Sequence, residues 1–132
     1  MDRIFLDANV LFSAAHRADS HLVRLWSLSD VELLTCDYAA EEARINLPGA
    51  ESQVRLEKLL RSVRIVPDIP TGVLPHDVTL PAKDLPIIFS ALAAQATHLL
   101  TGDRQHFGKY FGGKIRGVLV LPPSEYFERK KR

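Results

Sequence analysis

The sequence predicts an α/β domain built in three layers, a mostly parallel central sheet with helices on both faces. Short apolar runs that read as buried strands alternate with helical patterns of roughly ten residues, the signature of strand-helix-strand units. The runs are almost continuously hydrophobic, as strands covered on both faces are. The length of 132 residues, 46% of them hydrophobic and 25% charged, suits one compact unit with a real core. Residues 1–128 are taken as a single domain and residues 129–132 as a basic C-terminal tail.

Arg3 to Leu6 is an apolar run closed by Asp7 and forms the first strand, followed by a helix from about Asn9 to Ala15. Asp19 and Ser20 offer a cap for a second helix, in which Leu22, Leu25 and Trp26 fall on one face. Val31 to Cys36 is the next strand. Asp37 is placed to cap the helix that carries Glu41 and Glu42, and that helix stops near Pro48 and Gly49. Leu56, Leu59, Leu60 and Val63 give an amphipathic helix over Glu51 to Arg61. Arg64 to Val66 is a third strand, and Pro67, Pro70, Pro75 and Pro81 make the following segment a loop. Asp84 and Pro86 open a helix, Ile87 to Ala94, that is apolar nearly all round and so buried on most sides. His98 to Leu100 is a strand ending in Thr101-Gly102-Asp103. A glycine-rich surface loop follows, then a last strand, Val118 to Leu121, and a short terminal helix over Ser124 to Phe127.

Composition narrows the function. Seventeen Lys and Arg against sixteen Asp and Glu leave a net charge of +1, so bulk charge does not hold a polyanion and any such partner needs a local patch. A single cysteine, Cys36, excludes an intramolecular disulfide framework and a cysteine zinc cluster, and its apolar surroundings suit a small buried hydrophobe in a reducing cell. Asp2 and Asp7 interrupt what would be the apolar centre of a secretory signal. The longest apolar stretch, Pro86 to Ala94, falls far short of the ~18 residues that cross a bilayer. The expectation is a soluble, cytoplasmic protein without membrane contact.

In such a sheet ligands bind at the carboxyl ends of the strands, and acids collect there. Asp7 follows the first strand, Asp103 the fourth, and Asp84 opens the helix leading into the fourth. Glu41 and Glu42 point ~100° apart on their helix, so one of them can face the same edge. Like charges that close repel by roughly 1 kcal/mol per pair even with water screening. They require a cation or protons, and hard oxygen donors favour Mg²⁺ or Mn²⁺ over zinc. A cation held on an open strand edge suits phosphoryl transfer to water. Structural roles compete: Asp84 as a helix cap, Asp103 as a turn former.

Four segments together, LDANVLF at 6–12, EEARINL at 41–47, KDLPIIFSALAAQATHLLTGDRQHF at 83–107 and GVLVLPPSEYF at 117–127, resemble the PIN-domain nucleases over most of the chain. The resemblance implies a metal site of Asp7, Glu42, Asp84 and Asp103 that binds Mg²⁺ or Mn²⁺ and directs water at an RNA phosphodiester. Glu42 is favoured over Glu41 because the residues after it, ARINL, match the family's helix. Asn9 and Thr101 resemble groups that orient those carboxylates. The family also implies a homodimer and, for small toxin-type members, a protein antitoxin that blocks the acidic cleft. The Pro67 to Pro81 stretch aligns with nothing in it.

Arg104, Lys109, Lys114 and Arg116 lie on or near the loop after Asp103 and are candidate phosphate contacts. Histidines 16, 21, 76, 98 and 106 show no metal-ligand spacing, and His106, beside Asp103, is a candidate substrate contact. Phe107, Tyr110 and Phe111 either stack on bases or plug the loop onto the core. Two other classes compete with a nuclease. One is a catalytically inactive RNA-binding or interaction module. The other is a phosphoacceptor receiver-like domain, which would place paired acids after the first strand where only Asp7 stands.

Overall fold

The computed structural model describes residues 1–131; Arg132, the end of the expected basic tail, lies outside the described residues. The elements run β1 (Asp2–Leu6), α1 (Ala8–His16), a 3₁₀ helix (His21–Ser27), β2 (Val31–Cys36), α2 (Asp37–Asn46), α3 (Gly49–Leu60) and β3 (Arg64–Val66). After the proline-rich loop come a 3₁₀ turn (Ala82–Asp84), α4 (Leu85–Ala93), β4 (His98–Leu100), α5 (Arg104–Phe107), a 3₁₀ turn (Gly108–Tyr110), β5 (Lys114–Ile115), β6 (Val118–Leu121) and α6 (Pro123–Lys130). They form one six-stranded sheet in the order β3-β2-β1-β4-β6-β5, parallel throughout except where β5 pairs antiparallel with β6.

The three-layer expectation holds, and β1 shows why its strand is apolar at successive positions. Ile4 and Leu6 point into one layer, packing with α1, α3 and α6 residues such as Leu11, Leu56 and Phe127. Phe5 points into the other, against Ile87, Ile88 and Phe107. With both sheet faces covered, no residue of the strand interior meets water, and the usual alternation disappears. Helix α4 is apolar nearly all round because Ile87, Ile88, Phe89, Ser90 and Ala91 are all buried. The hydroxyl of its one polar member, Ser90, accepts from the Ile69 amide at 2.9 Å.

Local chemistry departs from the sequence reading in five places. The helix expected after Asp19 is 3₁₀, capped by Ser20, whose hydroxyl accepts from the Leu22 amide. Asp37 is the first residue of α2 rather than its cap, which is Cys36. Gly49 opens α3 at φ +75°, a left-handed conformation that suits glycine, instead of ending α2. The expected loop after Asp103 contains α5 and β5, and the turn joining β5 to β6 is Arg116-Gly117, both at positive φ, as a two-residue type I′ hairpin requires. The last helix extends to Lys130, past the expected boundary at 128. Topology also removes the phosphoacceptor alternative: receiver-type sheets run 2-1-3-4-5 with β1 beside β3, whereas here β1 lies between β2 and β4.

The proline-rich segment is loop as expected, and it lies on the α4 layer. Tyr110 Oη accepts from the Thr79 amide at 2.7 Å and donates to the Thr79 carbonyl at 3.0 Å. Gly72 sits directly on Phe89, where an added Cβ would meet the buried ring at 2.7 Å. Gly72→Ala should therefore lower unfolding free energy by ~1–3 kcal/mol, the usual cost of overpacking, as read from urea midpoints. An unchanged midpoint would show that the loop lifts off freely.

Candidate active site

The chain passes from β1 to β2 and β3 on one side, then crosses to β4 on the other. This reversal makes the crevice at the carboxyl ends of β1 and β4 the switch point where doubly wound sheets bind ligands. A cleft of about 440 Å³ opens there, lined by Asp7, Asn9, Glu42, Lys83, Asp84 and Asp103 among others. All four expected carboxylates thus meet in one place.

Asp7 is held hardest. Its Oδ1 accepts from the Ala8 amide at 2.7 Å, and its Oδ2 accepts from the Thr101 hydroxyl at 2.8 Å and from Asn9 Nδ2 at 3.3 Å. Asn9 ties the two strand ends together, since its Nδ2 also donates to Thr101 Oγ1 at 3.2 Å and its Oδ1 accepts from the Gly102 amide at 2.7 Å. Thr101 in turn accepts from the Asp103 amide at 3.1 Å. Burial pushes the Asp7 carboxyl up to about 6; the Thr101 and Ala8 hydrogen bonds pull the other way, and the Asp84 and Glu42 charges push it further up.

Asp84 stands at the N-cap position of α4 but makes no capping hydrogen bond, so its carboxylate faces the cleft instead. Burial raises its pKa, with the Asp103 and Glu42 charges adding to the effect and His106 and Lys83 opposing it. Asp103 serves both roles: its Oδ1 accepts from the His106 amide at 3.1 Å, capping α5, while its Oδ2 lies 2.8 Å from His106 Nδ1. Glu42 lines the cleft, whereas Glu41 turns away to Arg44 at 3.3 Å, which also grips Glu57 at 2.8 Å. One helical step of ~100° separates the two fates.

Sequence reasoning missed the part played by His106 among the acids. Its Nδ1 lies 2.9 Å from Asp84 Oδ2 as well, between the two carboxylates. The signal was its position three residues after Asp103, which on one helical turn puts both side chains on one face. Lys83 at the rim was also missed. Nearby, Tyr38 Oη donates to the Lys83 carbonyl at 2.7 Å, and burial together with the Glu42, Asp84 and Asp7 charges raises the phenol's pKa.

The basic residues divide. Arg104 directly follows Asp103 and is exposed, and Lys109 lies over the Tyr110 ring at 5.3 Å. Lys114 and Arg116 are carried away from the cleft: they line a separate cavity with Arg3 and His98 at the amino ends of β4 and β6. Their reading as phosphate contacts beside the acids does not hold. Phe107 is fully buried, so it plugs the core and cannot stack on a base.

A chain in the crystal structure of VapBC2 from Rickettsia felis bound to a DNA fragment from their promoter matches this one with a TM-score of 0.62 at 13% identity. The match spans 91% of this chain and 98% of that one. The chain has a PIN-like fold. No protein-family model and no curated protein matches the sequence. The PIN-like architecture accounts for the placement of the acids, because each hangs from a strand end or the first turns of a helix at a single sheet edge. Among the described residues, no helix is long and apolar enough to cross a membrane.

Proposed function

We propose that the protein is a Mg²⁺- or Mn²⁺-dependent endoribonuclease. The observation that carries this reading is the meeting of Asp7, Glu42, Asp84 and Asp103 in one cleft at the switch point. The donors fit a hard divalent cation: they are carboxylate oxygens, and Asp84 Oδ2 is buried without a hydrogen-bond partner. Bound there, a divalent cation supplies Lewis acidity, lowering the pKa of water and offsetting phosphate charge. The four carboxylates hold it, and Asn9 and Thr101 fix the Asp7 carboxylate in one orientation through the hydrogen bonds above. Lys83, at the rim, meets a phosphate of the incoming strand, and exposed Arg104, next to Asp103 in sequence, is the candidate for another.

The test is direct. Purified protein incubated with a mixed RNA pool should generate new ends with Mn²⁺ or Mg²⁺ and none with EDTA. Intact RNA under every metal condition would reduce the protein to the inactive RNA-binding or interaction module. The acidic cleft also suits a protein antitoxin that covers it, the protein acting as the toxin of a toxin-antitoxin pair, as a homodimer in the cytoplasm. Co-expression with the adjacent open reading frame checks the antitoxin, by recovery of a complex that no longer cleaves RNA.

A further inference from the structure

We propose that His106 is a nitrogen ligand in a mixed Asp84, Asp103 and His106 divalent-cation site, and that this donor makes the cleft prefer first-row transition ions such as Mn²⁺ to Mg²⁺. The proposal rests on the metal reading above and adds a residue and a selectivity to it. Asp84 Oδ2, Asp103 Oδ2 and His106 Nδ1 offer donor atoms that all lie within 4.8 Å of one another. The Asp84 side chain is 10% exposed, and both its Oδ2 and His106 Nδ1 are buried with no hydrogen-bond partner. Two orphaned polar atoms facing each other in a buried site carry a desolvation cost that neither relieves for the other. A cation bound between them satisfies both.

The obvious competitor is a protonated imidazole acting as the counter-ion itself. Such a ring would aim its Nδ1 hydrogen at one carboxylate. Yet the approaches at 2.9 and 2.8 Å are close without either having hydrogen-bond geometry. A neutral ring with hydrogen on Nε2 leaves the Nδ1 lone pair free for a metal. The placement is enforced, because Asp103 caps the helical turn that presents His106 and so fixes carboxylate and imidazole together. Imidazole nitrogen suits transition ions, whereas Mg²⁺ takes oxygen donors and keeps its waters.

Pulsed EPR of Mn²⁺ bound to the full-length protein reads this independently of activity. A ¹⁴N imidazole coupling is expected, replaced by the ¹⁵N pattern in protein grown with labelled histidine and lost in His106→Asn. That variant should also reduce the preference for Mn²⁺ over Mg²⁺ in competition titrations by about tenfold. Among the described residues His106 is the histidine that shares a donor cluster with the cleft carboxylates, so the coupling is assignable. If His106→Asn does not fold, the labelled wild-type protein decides alone. Mn²⁺ bound without nitrogen coupling overturns the role of His106 and leaves the carboxylate site standing, while failure to bind Mn²⁺ at millimolar concentration overturns both.

Discussion

Asp7→Asn should lower metal-dependent RNA cleavage by about 10²–10³-fold, the scale on which removal of one preorganised group acts in other hydrolases. The substitution keeps the shape of the side chain and removes its charge. Thr101, Asn9 and the Ala8 amide all direct hydrogens at the Asp7 oxygens, so the surrounding structure is built for an anion. The amide leaves the cation one charge short, and its nitrogen must face a donor. Glu41→Gln is the matched control: it removes a carboxylate from the neighbouring position on α2, but one that faces Arg44. It should cleave at the wild-type rate with an unchanged melting temperature. Equal activity in Asp7→Asn and wild type would end the catalytic assignment, and equal loss in both variants would mean that general acidity of the surface matters rather than the cleft.

The buried strands β1, β2, β4 and β6 were legible in the sequence because a strand covered on both faces has no reason to alternate; β3 was expected too, although Arg64 and Ile65 are exposed at the sheet edge. β5 was not. It is a two-residue edge strand, Lys114–Ile115, too short to carry a period and set among glycines. Missing it had a functional consequence. β6 runs parallel to β4 and β5 runs against β6, so the turn between β5 and β6 must lie at the amino edge of the sheet. Lys114 and Arg116 follow Asp103 closely in sequence and end at the opposite pole in space. The helix expected from Leu22, Leu25 and Trp26 at i, i+3 and i+4 is 3₁₀ over His21–Ser27, and the step of three from Leu22 to Leu25 is one that both helix types share.

Asp7 was legible for a different reason: an acid that ends an apolar strand contributes nothing to the core, so its presence needs a local cause, whereas Glu42, inside α2, stood out from Glu41 only through the family resemblance. His106 was obscured because its partners come from two separate segments, the α4 entry and the α5 cap, and only the crossing of the chain between β3 and β4 brings them together. Spacing rules for metal ligands read one segment at a time. They see Asp103 and His106 as a cap and a turn.

The same burial that makes Asp7 a metal ligand makes the metal-free protein depend on pH. Its carboxyl titrates near 3.8 in the unfolded chain and is pushed up to about 6 by the fold. The folded protein therefore holds this proton more tightly, and between those values raising the pH favours unfolding. The stability that protonated Asp7 allows is complete below about pH 4 and is lost as pH rises through 6, a loss of about 3 kcal/mol. Asp7→Asn carries no titrating group there, so urea unfolding in EDTA should show the wild type losing ground to the variant by that amount between pH 4 and pH 8. The amide's mismatched hydrogen bonds offset the two curves by a constant and leave the slope as the measurement. Millimolar Mn²⁺ should restore the wild type by about 3 kcal/mol at a hundredfold excess over Kd, and the variant by less, because its cleft keeps Asp84, Asp103 and His106 but lacks the Asp7 charge. Parallel curves for the two proteins would mean that Asp7 ionises as freely in the fold as in water, and the cleft would then lack the desolvated charge that holds the cation.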